Sequence, residues 1–186
     1  MRKKSSTYCE RWKRLDRTGS NRPVVHKLLD RAELRDTVEQ AKSAGGIVVF
    51  TNGCFDILHV GHVRYLQHAR MLGDTLVVGV NSDDSVRVLK GPGRPVVPEN
   101  ERVEILAALE CVDYVTVFSE PTATDLILAI KPDIHVKGGD YTEDDVPEAE
   151  AVRGVGGRVE ILEYSSTETD GWSTSNLIGR IRRKRG

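Results

Sequence analysis

Two histidines three residues apart carry the clearest chemistry in this chain. His59 and His62 close a loop that reads Thr51-Asn52-Gly53-Cys54-Phe55-Asp56-Ile57-Leu58-His59-Val60-Gly61-His62. With His59 just before a helix and His62 in its first turn, both rings can point to one side. Gly61 between them has no side chain, so a ligand can come close to the backbone. The helix start adds unpaired N–H groups and the positive end of a dipole, a combination that suits phosphate. Imidazoles placed there can donate to phosphate oxygens and stabilise charge developing at phosphorus. Displacement at phosphorus asks mainly for positioning and charge stabilisation, without a covalent intermediate. Taken alone, the string also fits histidines that merely pack against or cap a helix. A zinc site would need a third and a fourth ligand, and none is evident nearby.

The elements that must hold this loop follow from apolar periodicity. A helix is expected from Asp30 to Ala44, with Asp30 as N-cap and Gly45-Gly46 as its stop. Ile47-Val48-Val49-Phe50 reads as a buried parallel strand. Then come a helix from His62 to Leu72, a strand from Thr75 to Val80, a helix from Glu99 to Leu109 and a strand from Tyr114 to Phe118. A helix over Thr124 to Ile130, a strand over Ile134 to Val136, a weaker helix over Glu148 to Val155, a strand over Arg158 to Leu162 and a closing helix over Ser175 to Arg182 complete the series. Such alternation predicts an α/β class: one Rossmann-like, doubly wound parallel sheet with helices on both faces. Ligands of such sheets bind at the carboxyl ends of the strands, so the loops after Phe50, Val80 and Val136 are where chemistry is expected.

Two further segments fall near that edge. Lys90-Gly91-Pro92-Gly93-Arg94-Pro95 puts a lysine and an arginine on a Gly/Pro loop after the second strand, within reach of a polyphosphate or simply in solvent. Ser173, Thr174 and Ser175 precede the closing helix, where such residues are N-caps first and phosphate nests second.

Taken together these segments resemble the cytidylyltransferase-like nucleotidyltransferases. Gly53 to His62 matches their GxFDxxHxGH motif, Lys90 their triphosphate lysine, and Ser173-Thr174-Ser175 a second Ser/Thr motif near the domain end. Finer matches are to the adenylyltransferase domain of ADP-heptose synthesis enzymes. They lie in Phe50 to Asp56, Val80-Asn81-Ser82-Asp83, Lys90 to Pro95 and Val136-Lys137-Gly138-Gly139-Asp140-Tyr141. The resemblance runs from about Lys27 to Ile181. It implies catalytic roles for His59, His62 and Lys90. It implies nucleotide contacts at Thr51, Asn52, Gly53, Cys54, Phe55, Gly61, Ser173, Thr174 and Ser175. Acceptor contacts are implied at Asp56, Asn81, Asp83, Lys137, Gly138 and Asp140. For Asp56 a place near the metal is also open, for Asp140 a plain turn role is equally open, and Asp83 could instead cap the next segment.

The implied reaction is AMP transfer from ATP, with Mg²⁺, to D-glycero-D-manno-heptose 1-phosphate, giving ADP-heptose and pyrophosphate. The resemblance also implies a homodimer and a separate heptose kinase acting upstream, because 186 residues leave no room for a fused one. The alternatives are a CTP enzyme for glycerol 3-phosphate or another phospho-alcohol, and a non-catalytic nucleotide-binding regulator. Trp172 before the Ser/Thr motif, and the long polar stretch from Ser165 to Gly171, depart from the pattern.

Composition bounds the rest. Charged residues are 30% of the chain but cancel to a formal net charge of −1, which gives no electrostatic case for nucleic acid. Basic residues gather at the ends, so residues 1–23 are expected to be a flexible leader, 24–182 the domain and 183–186 a basic tail. Cys9, Cys54 and Cys111 form no CxxC, and no apolar run approaches about 18 residues. A cytoplasmic protein without membrane contact or a resident metal is expected.

Overall fold

Five parallel strands form one sheet in the order β3-β2-β1-β4-β5. The strands are β1 (Val48–Gly53), β2 (Thr75–Asn81), β3 (Tyr114–Phe118), β4 (Ile134–Gly138) and β5 (Arg158–Leu162). The helices are α1 (Arg31–Ser43), α2 (Val60–Arg70), α3 (Asp83–Lys90), α4 (Glu99–Ala107), α5 (Thr124–Ile130), α6 (Ala149–Gly154) and α7 (Thr174–Arg183). The computed structural model describes residues 26–139, 142, 145–162 and 174–183. The basic leader, Asp140, Trp172, Ser173 and the last three residues lie outside the described residues, as does the stretch from Ser165 to Gly171.

Each strand buries alternate residues on opposite faces, as a pleated strand must. In β1, Val49 joins one core with Tyr65, Leu66 and Ala69 of α2 and Val103, Leu106 and Ala107 of α4. Val48 and Phe50 join the other, with Leu34 and Val38 of α1, Leu126, Ile127 and Ile130 of α5 and Val152 of α6. Helices therefore cover both faces, and the sheet is the doubly wound Rossmann-like one expected. At the start of α1, Asp30 accepts from the N–H groups of Ala32 and Glu33, and Glu33 accepts in return from the Asp30 N–H at 3.1 Å. This reciprocal cap fixes the first helix. Among the described residues no helix is long and apolar enough to cross a membrane.

Strand β1 sits in the middle, with β2 on one side and β4 on the other. The chain leaves β1 toward β2 on one side and reaches β4 on the other only later, so the order reverses at the β1–β4 junction. That junction is the topological switch point, the crevice where ligands of such sheets bind.

The structure corrects four local expectations. β1 runs on through Thr51, Asn52 and Gly53, because those residues keep parallel pairing with Val78, Gly79 and Val80 of β2. Lys137 and Gly138 belong to β4, paired with Ile161 and Leu162, rather than to the loop beyond it. Residues Asp83–Lys90 are helical, so Lys90 ends a helix instead of starting in a loop. Ser82, not Asp83, caps that helix, accepting the Ser85 N–H at 3.2 Å. This short helix hides in the sequence because Val88 and Leu89 stay exposed, so its apolar pattern does not trace a core face.

Candidate active site

The carboxyl ends of β1 and β4 open onto the start of α2. Helix α2 is pinned beneath this mouth by Tyr65. Its hydroxyl donates to the Val136 carbonyl at 2.8 Å, so the 2.6 Å contact with Thr51 has the Thr51 hydroxyl as donor. One buried tyrosine thereby fixes the helix to both strands at the switch point.

His59 is the N-cap of α2 and His62 its third residue. Their rings stack at 3.8 Å between centroids, 28° from parallel. The His59 N–H reaches the Nδ1 of His62 at 3.4 Å, which leaves the His62 proton on Nε2 as a donor. Burial, and then the neighbouring His59, push the His62 pKa down to about 4; burial also lowers that of His59. Both rings are thus neutral N–H donors at neutral pH in the free protein.

The loop between β1 and α2 is held in an unusual shape. Phe55 adopts φ 45°, in the left-handed region that non-glycine residues rarely enter. Its ring lies 5.4 Å from that of His62. Gly53 allows this, since a Cβ there would stand 3.2 Å from the Phe55 ring. The start of α7 meets the same loop, where the Thr174 hydroxyl donates to the Ile57 carbonyl at 3.4 Å. Ser175 is in α7, and its side chain is not among those described.

Asp56 is 3% exposed and turns inward. Its carboxylate pairs with the Arg94 guanidinium and accepts the N–H groups of Val96 and Val97 at 2.7 and 2.9 Å. It clamps the Gly/Pro loop that follows Lys90 and carries Arg94 against the histidine loop. Lys90, Arg102 and Arg94 all lie close enough to act on the Cys54 thiol, although burial is the larger effect and raises its pKa. Lys90 itself is exposed.

Asn81 and Asp83 make their described contacts within the protein. The Asn81 amide donates to the Ser85 hydroxyl at 2.9 Å, and Asp83 accepts from Arg102 at 2.8 Å. Arg102 is the residue that sequence reasoning missed. It is 1% exposed, and its guanidinium donates to the carbonyls of Cys54, Val97 and Asn81 and to the Asp83 carboxylate. One planar fork therefore joins the histidine loop, the basic loop and the end of β2. The signal was present, since Arg102 shares the buried face of α4 with Val103 and Leu106, where a charge has to find partners.

Across the junction, Asn52 of β1 meets β4. Its Oδ1 accepts from the Lys137 ammonium at 2.8 Å and contacts the His135 Nε2 at 3.0 Å. Lysine can only donate, which fixes the amide with its oxygen toward β4. The described residues leave three buried side-chain atoms without a hydrogen bond: His59 Nδ1, His135 Nδ1 and Glu148 Oε2. His59 stands at this mouth, while His135 of β4 and Glu148, which pairs with Lys137 of β4, lie behind it.

The family model described as "Cytidylyltransferase-like" matches residues 50–180, most of the chain. The chain belongs to the cytidylyltransferase-like family. As a member of that family it is a nucleotidyltransferase enzyme. It is 56% identical over 155 residues to the bifunctional protein HldE of Syntrophotalea carbinolica, covering 83% of this chain and 31% of that one. With the bifunctional protein HldE of Alcanivorax borkumensis it shares 48% over 166 residues, 89% of this chain and 33% of that one. The chain thus spans about a third of the length of these curated relatives. Among solved structures it resembles the lipopolysaccharide core biosynthesis protein of Thermoplasma volcanium, at 33% identity and a TM-score of 0.54. That match covers 65% of this chain and 98% of the other. In this cytidylyltransferase-like chain the HxGH histidines open α2, Thr174 touches the loop before them, and Lys90 lies close enough to Cys54 of that loop to lower its pKa.

Proposed function

We propose that this nucleotidyltransferase moves AMP from ATP to D-glycero-D-manno-heptose 1-phosphate, giving ADP-heptose and pyrophosphate for surface-glycan synthesis. The observation that carries the transfer chemistry is the stacked pair of neutral donors, His59 and His62, at the start of α2. The choice of acceptor is supported by the motif blocks shared with ADP-heptose adenylyltransferases. It is supported also by the 48–56% identity to bifunctional HldE proteins and by the likeness to a protein of lipopolysaccharide core synthesis.

In this reading an oxygen of the acceptor phosphate attacks the α-phosphorus of ATP in line. A new P–O bond forms as the α–β bridging bond breaks, and pyrophosphate leaves with the electron pair. His59 and His62 donate to the phosphate oxygens on which charge builds, a neutral oxyanion-type stabilisation. Lys90 supplies cationic charge toward the β- and γ-phosphates, and Ser173, Thr174 and Ser175 hold the leaving pyrophosphate. Thr51 to Phe55 and Gly61 border the nucleotide. Lys137 and Gly138, with Asp140 beyond them, receive the sugar phosphate, while Asp56, Asn81 and Asp83 act by holding the loops. A phosphate acceptor is already ionised at neutral pH, so no strong general base is needed.

Mg²⁺ enters with ATP as part of the substrate, held by its phosphate oxygens. Asp56 and Asp83 are committed to Arg94 and Arg102, which fits a metal carried by the nucleotide rather than by a protein cage. A homodimer and a separate upstream kinase complete the proposal.

The test is pyrophosphate release with Mg²⁺, each of the four NTPs, and heptose 1-phosphate of either anomer beside glycerol 3-phosphate. Release confined to ATP with a heptose 1-phosphate supports the proposal. Release with CTP and glycerol 3-phosphate overturns the substrates and keeps the chemistry, whereas nucleotide binding without release from any pair favours a regulator.

A further inference from the structure

Behind the mouth lies a group that the transfer chemistry above does not use. Glu148, just before α6, is 3% exposed. Its Oε1 accepts the N–H of Ala123, the N-cap of α5, at 3.2 Å. Its Oε2 lies 3.2 Å from the Lys137 ammonium. The same ammonium donates to Asn52 Oδ1, which also contacts His135 Nε2. His135 in turn stacks on Phe50, with ring centroids 5.4 Å apart. A chain of polar contacts thus runs from the start of α5 through Glu148 and Lys137 to Asn52 at the carboxyl end of β1.

We propose that Glu148 is a positioning residue for the transfer reaction, holding the Lys137 ammonium against the Asn52 amide so that both face the incoming acceptor phosphate. The inference rests on the reading of Lys137 as an acceptor contact.

Three physical points support it. First, a buried ion pair is a poor stabiliser, because removing two charges from water offsets most of their attraction. A pair kept at the switch point therefore calls for another role. Second, lysine has three donors on a flexible stem, and it points in a set direction only when fixed partners take some of them. Asn52 takes one as a hydrogen bond and Glu148 holds the charge as an ion pair at 3.2 Å, while the Lys137 side chain keeps 17% of its surface exposed. Third, Asn52 with its oxygen held by Lys137 must present its NH₂ group elsewhere, as a further donor. Burial is the larger effect and lowers the Lys137 pKa, and the Glu148 carboxylate opposes that shift. Among the described residues the other titratable group facing Lys137 is His135, which is neutral at neutral pH with a pKa pushed down to about 3 by burial.

The experiment compares wild type with Glu148→Gln and Glu148→Asp by steady-state pyrophosphate release across pH. The acceptor is whichever phosphorylated compound the wild type turns over. With Glu148→Gln the acceptor KM is expected to rise about tenfold while the KM for ATP stays within about twofold, the split expected when one substrate loses a positioned cation. The alkaline limb of kcat/KM for the acceptor moves to lower pH, since Lys137 then loses its proton more easily. Glu148→Asp, which keeps the charge, falls between the two and serves alone if the glutamine variant does not fold. An unchanged acceptor KM and limb overturns the inference. So does a parallel rise of both KM values with lowered stability, the pattern of a merely structural residue. Turnover of glycerol 3-phosphate but not heptose 1-phosphate by the wild type overturns the substrate proposed above, and the Glu148 test is then read on glycerol 3-phosphate.

Discussion

The imidazole of His62 lies under that of His59, centroid to centroid at 3.8 Å, at the first turn of α2. Two protonated rings at that separation would repel, and the buried one has lost most of its hydration. The pair is therefore built to donate hydrogen bonds as neutral groups. His62→Ala is expected to cut turnover by ~10²-fold or more, like the loss of an oxyanion-type donor, with little change in far-ultraviolet circular dichroism. Pyrophosphate release under single-turnover conditions checks this, and near wild-type turnover would remove the histidine from the chemistry.

Stability should depend on pH through His62 and His135. Their folded pKa values, about 4 and about 3, lie below the ordinary value of 6.5. Between those limits the unfolded chain binds more protons than the folded one, so stability rises with pH there. It is complete above about pH 6.5 and falls as the pH drops toward 4. His135→Leu removes one of the two groups, so its stability should fall less steeply over this window, by up to about 1.4 kcal/mol per pH unit. Urea unfolding at a series of pH values reads the slope directly.

Arg102 should matter more to folding than any surface charge. Its guanidinium is buried with four partners, and truncation leaves Asp83 and three carbonyls without it. Arg102→Ala is expected to cost about 3–5 kcal/mol, the range for breaking a buried pair by removing one partner. Arg102→Lys keeps the charge but not the fork and should recover only part of that loss. Denaturant midpoints of both variants provide the comparison.

Asp56→Asn should free the basic loop without unfolding the sheet. The Val96 and Val97 amides depend on that carboxylate, and Arg94 pairs with it. Hydrogen exchange at those two amides should quicken by at least tenfold, while amides in β1 and β2 keep their protection. Equal exchange in variant and wild type would mean that the loop is held by other contacts.

The sequence by itself determined the alternation of elements, the class of the sheet and the edge on which to look. Seven of the expected elements, at Thr75–Val80, Tyr114–Phe118, Thr124–Ile130, Glu148–Val155, Arg158–Leu162, Ser175–Arg182 and the capped helix from Asp30, agree with the structure within a residue of their ends. A strand such as β2 was legible because one buried on both faces reads as an apolar run, and the capped helix because it carries local polar signals. The histidine motif was legible because its spacing is local to one helical turn. What the tertiary structure alone decided is which polar side chains turn inward. Asp56 and Asp83 look in sequence like free carboxylates at a ligand edge, yet each meets an arginine from 38 and 19 residues further along. Asn52 meets His135 and Lys137 more than 80 residues away because β1 and β4 are neighbours, though six elements separate them along the chain. No periodicity reports such pairings, since they depend on strand order and register. A charge such as Arg102 or Glu148 can stay buried only where those long-range neighbours supply its hydrogen bonds.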